Sequence, residues 1–292
     1  MITNNINKKS TKTEIAKSLG ISRSSLYYKP KKPDKDLETK ILIESVMAKH
    51  KSYGHKRIAI ELQMNKKKIL RVMKKFNLKP YRRRTKKPIK IKDINKQQTV
   101  YENLIKDIIP QEPNLIWAAD FTYIPWQGNF IYLATIMDLF TREIIGFAIS
   151  KTHDRFMCLK AFHMALIKTK SKPKYHHSDQ GSEYDSIDYI QKLADNQIII
   201  SMSKKGSPWE NGFQESFYSQ FKVDLGRPDQ CETLGELIEA IYLQINYYNT
   251  ERIHTSLKTS PLNFRNQYIL NQTLKSLNNL KNINLQTLRQ SV

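Results

Sequence analysis

Cysteine is nearly absent from this chain. Only Cys158 and Cys231 occur in 292 residues, in no metal-ligand or redox spacing, which excludes a disulfide framework and a cysteine zinc site and suits a reducing cytoplasm. Long apolar runs are missing as well. No stretch of about 18 uncharged apolar residues occurs, and the opening MITNNINKKSTK has no apolar core to serve as a signal peptide. The expectation is a soluble, unexported protein with no membrane segment. No internal repeat is visible, and the first residues carry no evident heptad.

Acidic residues are scarce in one region only. Residues 1–100 hold 29 Lys and Arg against 7 Asp and Glu, whereas 101–292 hold 20 of each, so the whole formal charge of +22 lies in the first third. A polyanion is the expected partner of that third, and nucleic acid is the usual one, because neutralised phosphates release counterions on binding. Charge alone leaves open a basic arm on a ribosomal or membrane-surface protein. The length suggests two domains and at least one sizeable core.

Residues 11–28, TKTEIAKSLGISRSSLYY, read as helix, turn and helix. Ile15, Ala16 and Leu19 form an apolar stripe, Gly20 permits the turn, and Ser22 can cap a second helix that carries Arg23. KPKKPDKD at 29–36 reads as a linker. HKSYGHKRIAIELQ and KKKILRVMKKFNL follow as two helices around Asn65, with Ile58, Ile60, Leu62, Ile69, Leu70, Val72, Met73 and Phe76 as a small core under a basic surface. YRRRTKKPIKIKD, with Arg82, Arg83 and Arg84, suits an extended phosphate-tracking linker.

From Leu115 the texture changes to strands: LIWAADFTYI, FIYLATIMDL and EIIGFAIS read as an antiparallel meander. Helix at 154–169, strand at 174–178, helix near 185–195 and strand IIISMS follow, which makes a mixed α/β sheet. KKGSPWEN at 204–211, with Lys204 and Lys205, reads as a loop; 233–249 is the clearest later helix, and 271–288 a polar helical or frayed tail.

Three carboxylates stand out. Asp120 lies within the first strand, where a buried acid is costly unless paired or metal-bound. Asp179 ends the short strand of HHSDQGSEY. Glu215 belongs to a helix starting near Asn211, in which Asn211, Glu215, Tyr218 and Lys222 recur on one polar face while Phe213, Phe217 and Phe221 pack elsewhere. If the three acids converged, they would bind a pair of divalent cations, Mg²⁺ or Mn²⁺, for phosphodiester chemistry, and Lys222 would contact phosphate beside them.

The motifs WAADFTYI, YLATIMDLFTREIIGFA, HHSDQGSEY, SMSKKGSPWENGFQESFYSQFK and YYNTERIHTSL with Pro261, spanning about residues 50–265, resemble the integrase-core transposases of bacterial insertion sequences, relatives of retroviral integrases. The resemblance departs at Trp209 and Glu210. It implies a ribonuclease-H-like α/β catalytic domain preceded by helical, helix-turn-helix DNA-binding modules. It further implies Asp120, Asp179 and Glu215 as catalytic and metal-binding triad, His176 and His177 as supporting rather than ligating groups, and structural or DNA-contacting roles for Asn249, Arg252 and His254. The expected segments are a helix-turn-helix-like 1–30, a basic helical module 36–80, a basic linker 81–105, a catalytic core 106–268 and a tail 269–292. Expected partners are double-stranded DNA at element ends and target, further copies of the chain, and an upstream-frame protein or fusion, in the bacterial cytoplasm and on the nucleoid. A nuclease that cuts without joining, a non-catalytic regulator and a basic structural protein are the alternatives.

Overall fold

The computed structural model describes residues 11–27, 32–82, 101–204 and 207–290. Helix α1 (Lys12–Ser18) opens on a capping box in which Thr11 and Glu14 satisfy each other's backbone N–H. Gly20 takes the left-handed conformation at the turn, φ 66°. The second helix expected here is instead a five-residue 3-10 turn, Arg23–Tyr27, and Leu19 of the proposed stripe is 62% exposed. Ser22 still caps it, accepting from the Ser25 N–H.

Residues 32–36 are not a linker. They form the first turn of α2 (Lys32–Lys49), where Pro33 is tolerated because first-turn N–H groups have no partner within the helix. Helices α3 (His55–Glu61) and α4 (Lys66–Lys75, capped by Asn65) complete a three-helix module over Ile43, Ile58, Ile69, Val72 and Met73. Asp36 is buried and accepts from Arg71 Nη1 and Nη2 (2.8 and 2.6 Å) and Lys75 Nζ (2.9 Å), which hold its carboxyl well below the usual range. Arg71 and Lys75, part of the basic surface expected on this module, are therefore committed to a clamp on a buried acid.

The part of the chain after the three-helix module is built on a five-stranded sheet in the order β3-β2-β1-β4-β5. Strands β1 (Ile116–Trp126), β2 (Asn129–Asp138) and β3 (Ile144–Ser150) form the expected antiparallel meander, while β4 (Tyr175–Ser178) and β5 (Ile199–Met202) run parallel to β1. The helices that make those parallel crossovers, α5 (Arg155–Thr169) and α6 (Ile187–Asp195), follow β3 and β4. Alternation sorts the strand residues. Trp117, Ala119, Ala134 and Ile136 face α5 and α6, with Phe162 and Tyr189 packed among them. Ile116, Ala118, Leu133 and Met137 face α7 (Gly212–Leu225) and α8 (Leu234–Thr250), meeting Phe217, Phe221, Ile241 and Ile245. Gly146 permits close packing of α5 on β3: a Cβ there would stand 2.2 Å from the Ala161 carbonyl oxygen.

The three-helix module docks on the segment after α8. Ile253 joins its core, the Ile253 N–H donates to Tyr53 Oη (2.7 Å), and Arg57 Nε donates to the Ile253 carbonyl (2.8 Å). Helix α9 runs unbroken from Pro261 to Gln290, so the expected boundary at 268 falls inside a continuous helix.

Candidate active site

Asp120 and Asp179 are brought together by strand register. Ala118 pairs with His177 at the last rung of the parallel β1·β4 ladder; two residues beyond come Asp120, within β1, and Asp179, just past the end of β4. Neighbouring strands lie about 4.8 Å apart. Asp120 continues the face of Ile116 and Ala118, the face covered by α7, and Asp179 is near enough for its charge to raise the Asp120 carboxyl. Beyond that last rung β1 stays paired with β2 but has no partner on its β4 side, which leaves the two acids where the β1·β4 ladder opens.

Helix α7 is pinned to β1 by three successive carbonyls. Gln214 Nε2 donates to Ala118 O (2.6 Å), Asn211 Nδ2 to Ala119 O (3.1 Å) and Tyr218 Oη to Asp120 O (2.6 Å). Thr135 of β2 ties the set together through Gln214 Oε1 and Tyr218 Oη (3.0 and 2.8 Å). The face expected to be polar is thus divided: Asn211 and Tyr218 turn inward as anchors, while Glu215 is exposed. Phe217 and Phe221 pack in the core as expected, but Phe213 is exposed and lies under the Arg142 guanidinium, 3.8 Å from its ring centre. Gln214 was not singled out in the sequence; its only signal is its place on the Asn211 and Tyr218 stripe.

The electrostatics follow from this placement. Burial pushes the Asp120 carboxyl up to about 8, with the charges of Asp179 and Glu215 adding to the rise and Lys222 opposing it. Burial also raises Asp179, against one hydrogen bond from the Gly181 N–H to its Oδ1 (3.0 Å). Lys222 Nζ sits 4.8 Å over the Tyr123 ring. The two acids form a hard-oxygen donor set whose like charges repel, the arrangement a divalent cation relieves. Among the described residues, no three His, Cys, Asp or Glu side chains lie close enough together to hold a metal as they stand.

The remaining expected residues lie in several places. His177 is buried between β4 and β5, with Nδ1 2.9 Å from Ser201 Oγ, and burial holds it neutral down to about pH 4. His176 points to the other face, 3.0 Å from Tyr189 Oη. Arg252 is buried and paired with Asp224 (2.5 Å) and Gln220 (2.7 Å), joining α8's end to α7. Asn249 bonds both the N–H and the carbonyl of Ile144, an architectural role. His254 makes a bridge with Thr259. Lys204 is exposed, its N–H donating to Glu210 Oε2 (2.8 Å). Arg23 is exposed, and Arg82 Nη1 donates to the Ser52 and Tyr81 carbonyls. Arg83, Arg84 and Lys205 lie outside the described residues.

A mixed sheet of this order, with acids at two adjacent strands and a third on the helix behind them, defines a ribonuclease-H-like nucleic-acid-processing core. The Integrase core domain family matches residues 110–208 and, in a second form, 196–261. Protein InsK of insertion sequence element IS150 from Escherichia coli (strain K12) is 31% identical over 272 residues, covering 87% of this chain and 93% of that protein. The 31 kDa protein of insertion element IS600 from Shigella sonnei is 31% identical over 267 residues, covering 85% and 96%. The transposase for IS904 from Lactococcus lactis is 37% identical over 166 residues, covering 56% and 66%. Among solved structures, the HTLV-2 integrase catalytic core in complex with magnesium aligns with 52% of this chain and 97% of that one, at 18% identity and a TM-score of 0.44. This chain belongs to the integrase-core transposase family of bacterial insertion sequences.

Proposed function

We propose that the chain cuts strands at the ends of its own mobile element and joins the freed 3′-hydroxyl to target DNA, with Asp120, Asp179 and Glu215 as the acidic triad. The observation that carries this reading is the register of β1 on β4, which sets Asp120, on the face covered by the helix of Glu215, beside Asp179. Asp120 and Asp179 would hold the cations, with Glu215, exposed on α7, as the third carboxylate. Two Mg²⁺ or Mn²⁺ ions held there would supply activation of the attacking hydroxyl and stabilisation of the leaving oxygen. Lys222 places its charge beside them for a DNA phosphate. Asn211, Gln214 and Tyr218 keep α7 fixed on β1, so the acids are held at a set separation. His177 supports β4 from below.

The net charge of the first hundred residues supports DNA-holding roles for the segments 1–30, 36–80 and 81–105. Arg23, Arg82, Arg83, Arg84, Lys204 and Lys205 are the contacts assigned to that task. The chain acts as an assembly of several copies on DNA, alone or with an upstream-frame protein, and is nucleoid-associated when bound. No helix of the described residues is long and apolar enough to cross a membrane. The test is amplification of joined element ends from cells carrying the gene with its flanking DNA. A junction with wild type and none with Glu215→Gln is expected; a junction with both would remove Glu215 from the triad.

A further inference from the structure

The flank of α7 turned away from the triad borders a second site. Gly212, Phe213, Ser216 and Gln220 line one wall of a cavity of 460 Å³, within the range of small-molecule sites. Opposite stand Arg142 from the β2–β3 turn, Arg57 from the three-helix module, and Arg252 and His254 from the segment after α8. Three guanidinium groups meet there from separate elements of the fold.

Their charge is incompletely answered. Arg252 is paired with Asp224, and the rim residue Glu210 accepts from the Lys204 N–H. Among the described residues neither Arg57 nor Arg142 has a carboxylate within ion-pair distance. Arg142 Nη1 and His254 Nδ1 are both buried without any hydrogen-bond partner. A buried donor left unmade costs stability, so two such groups facing one cavity call for a partner inside it, water or ligand. Burial and the neighbouring arginines hold His254 neutral down to about pH 4, which leaves its ring free to donate or accept one hydrogen bond. Arg142 holds this position at φ 62°, a left-handed backbone rare for its residue type.

The walls also carry aromatic surface. Trp209 is 72% exposed at the rim, and Phe213 lies stacked beneath Arg142. Cations for phosphate beside exposed ring faces for a base are the two parts of a single-strand nucleotide site.

The geometry points to this cavity as the seat of one unpaired nucleotide of the DNA strand, its phosphate on Arg57, Arg142 and His254 and its base against Trp209. This rests on the transposase reading and deepens it. Because α7 carries the cavity on one flank and Glu215 on the other, the seated nucleotide would fix the strand relative to the triad. It would also bridge the three-helix module and the catalytic sheet, since Arg57 belongs to the first and Arg142 to the second.

The test uses the full chain in chelator, where no chemistry runs, with a short fluorescent single strand as probe and anisotropy as readout. Trp209→Ala changes no charge and removes an exposed side chain, and it should weaken binding roughly 5- to 100-fold, the loss of one base stack. Arg142→Gln should flatten the dependence of log affinity on log salt by about 0.7, one single-strand phosphate. An abasic residue walked along the probe should, at one position, erase the difference between Trp209→Ala and wild type. The readout is binding in chelator and needs no triad chemistry, so failure of the triad reading would leave this result untouched. Equal affinities and slopes for wild type and both variants would overturn the proposal. So would full competition by inorganic phosphate with no abasic position mattering, which would make the cavity a plain anion pocket.

Discussion

Asp120→Asn should make the protein more stable while ending its chemistry. Moving a carboxyl from its ordinary 3.8 to about 8 means that, between those pH values, folding disfavours the charged form. A folded-state value raised above the unfolded one leaves full stability below pH 3.8 and removes it progressively as pH rises towards 8. Each unit is worth about 1.4 kcal/mol, so the interval from 3.8 to 7 gives roughly 4 kcal/mol as an upper bound. Asp120 keeps some exposed surface, so the cost at pH 7 is nearer about 2 kcal/mol. Asparagine retains the acceptor for the Phe121 N–H, bonded at 2.8 Å, and carries no charge to repel Asp179. Thermal unfolding in chelator at pH 8 should therefore place the variant about 4 to 8 °C above wild type, with a weaker decline from pH 6 to 8. Adding Mg²⁺ should raise the wild-type midpoint and leave the variant's almost unmoved. A variant that melts at or below wild type with the same pH slope would refute the claim that Asp120 is a strained, charge-crowded acid.

Two further outcomes depend on the buried frame. Burial depresses His176 to about 3 and His254 to about 4, so the unfolded chain takes up protons first and stability falls as pH drops below 6.5. About 2 kcal/mol per histidine should be lost by pH 5; denaturant melts at pH 7.5 and 5 check this, and His176→Gln should remove about one proton from the slope. Gly146→Ala would set a Cβ 2.2 Å from a backbone oxygen of α5, an overpacking that no side-chain rotation relieves; a loss of about 3 kcal/mol or more is expected, and a midpoint within a degree of wild type would contradict the packing.

Much of the sheet is legible along the chain because its signals are local. Alternation in WAADFTYI and FIYLATIMDL, turn residues between them, and Asp120 and Asp179 at marked places in strands all lie within a few residues of one another. The register that sets Ala118 beside His177 is not local, and no pattern in either strand specifies it. Helix α2 is hidden by Lys-Pro-Asp, which looks like a breaker but sits in a first turn where proline costs nothing. The 3-10 turn at Arg23–Tyr27 is shorter than its polar pattern suggests. Arg142 reads as an ordinary turn residue in FTRE, and only folding brings it to Arg57 and His254. The clamp on Asp36 likewise takes Arg71 and Lys75 from what looks like a plain basic surface.

The most direct measurement is Mg²⁺-dependent strand cleavage and joining by the purified chain on a duplex bearing its element's end, wild type against Asp179→Asn, with binding to the same duplex measured in parallel. Abolished cleavage with nearly unchanged binding is the result that an acid placed by the β1·β4 register predicts. Cleavage by the variant at the wild-type rate, or equal loss of cleavage and binding, would contradict the assignment.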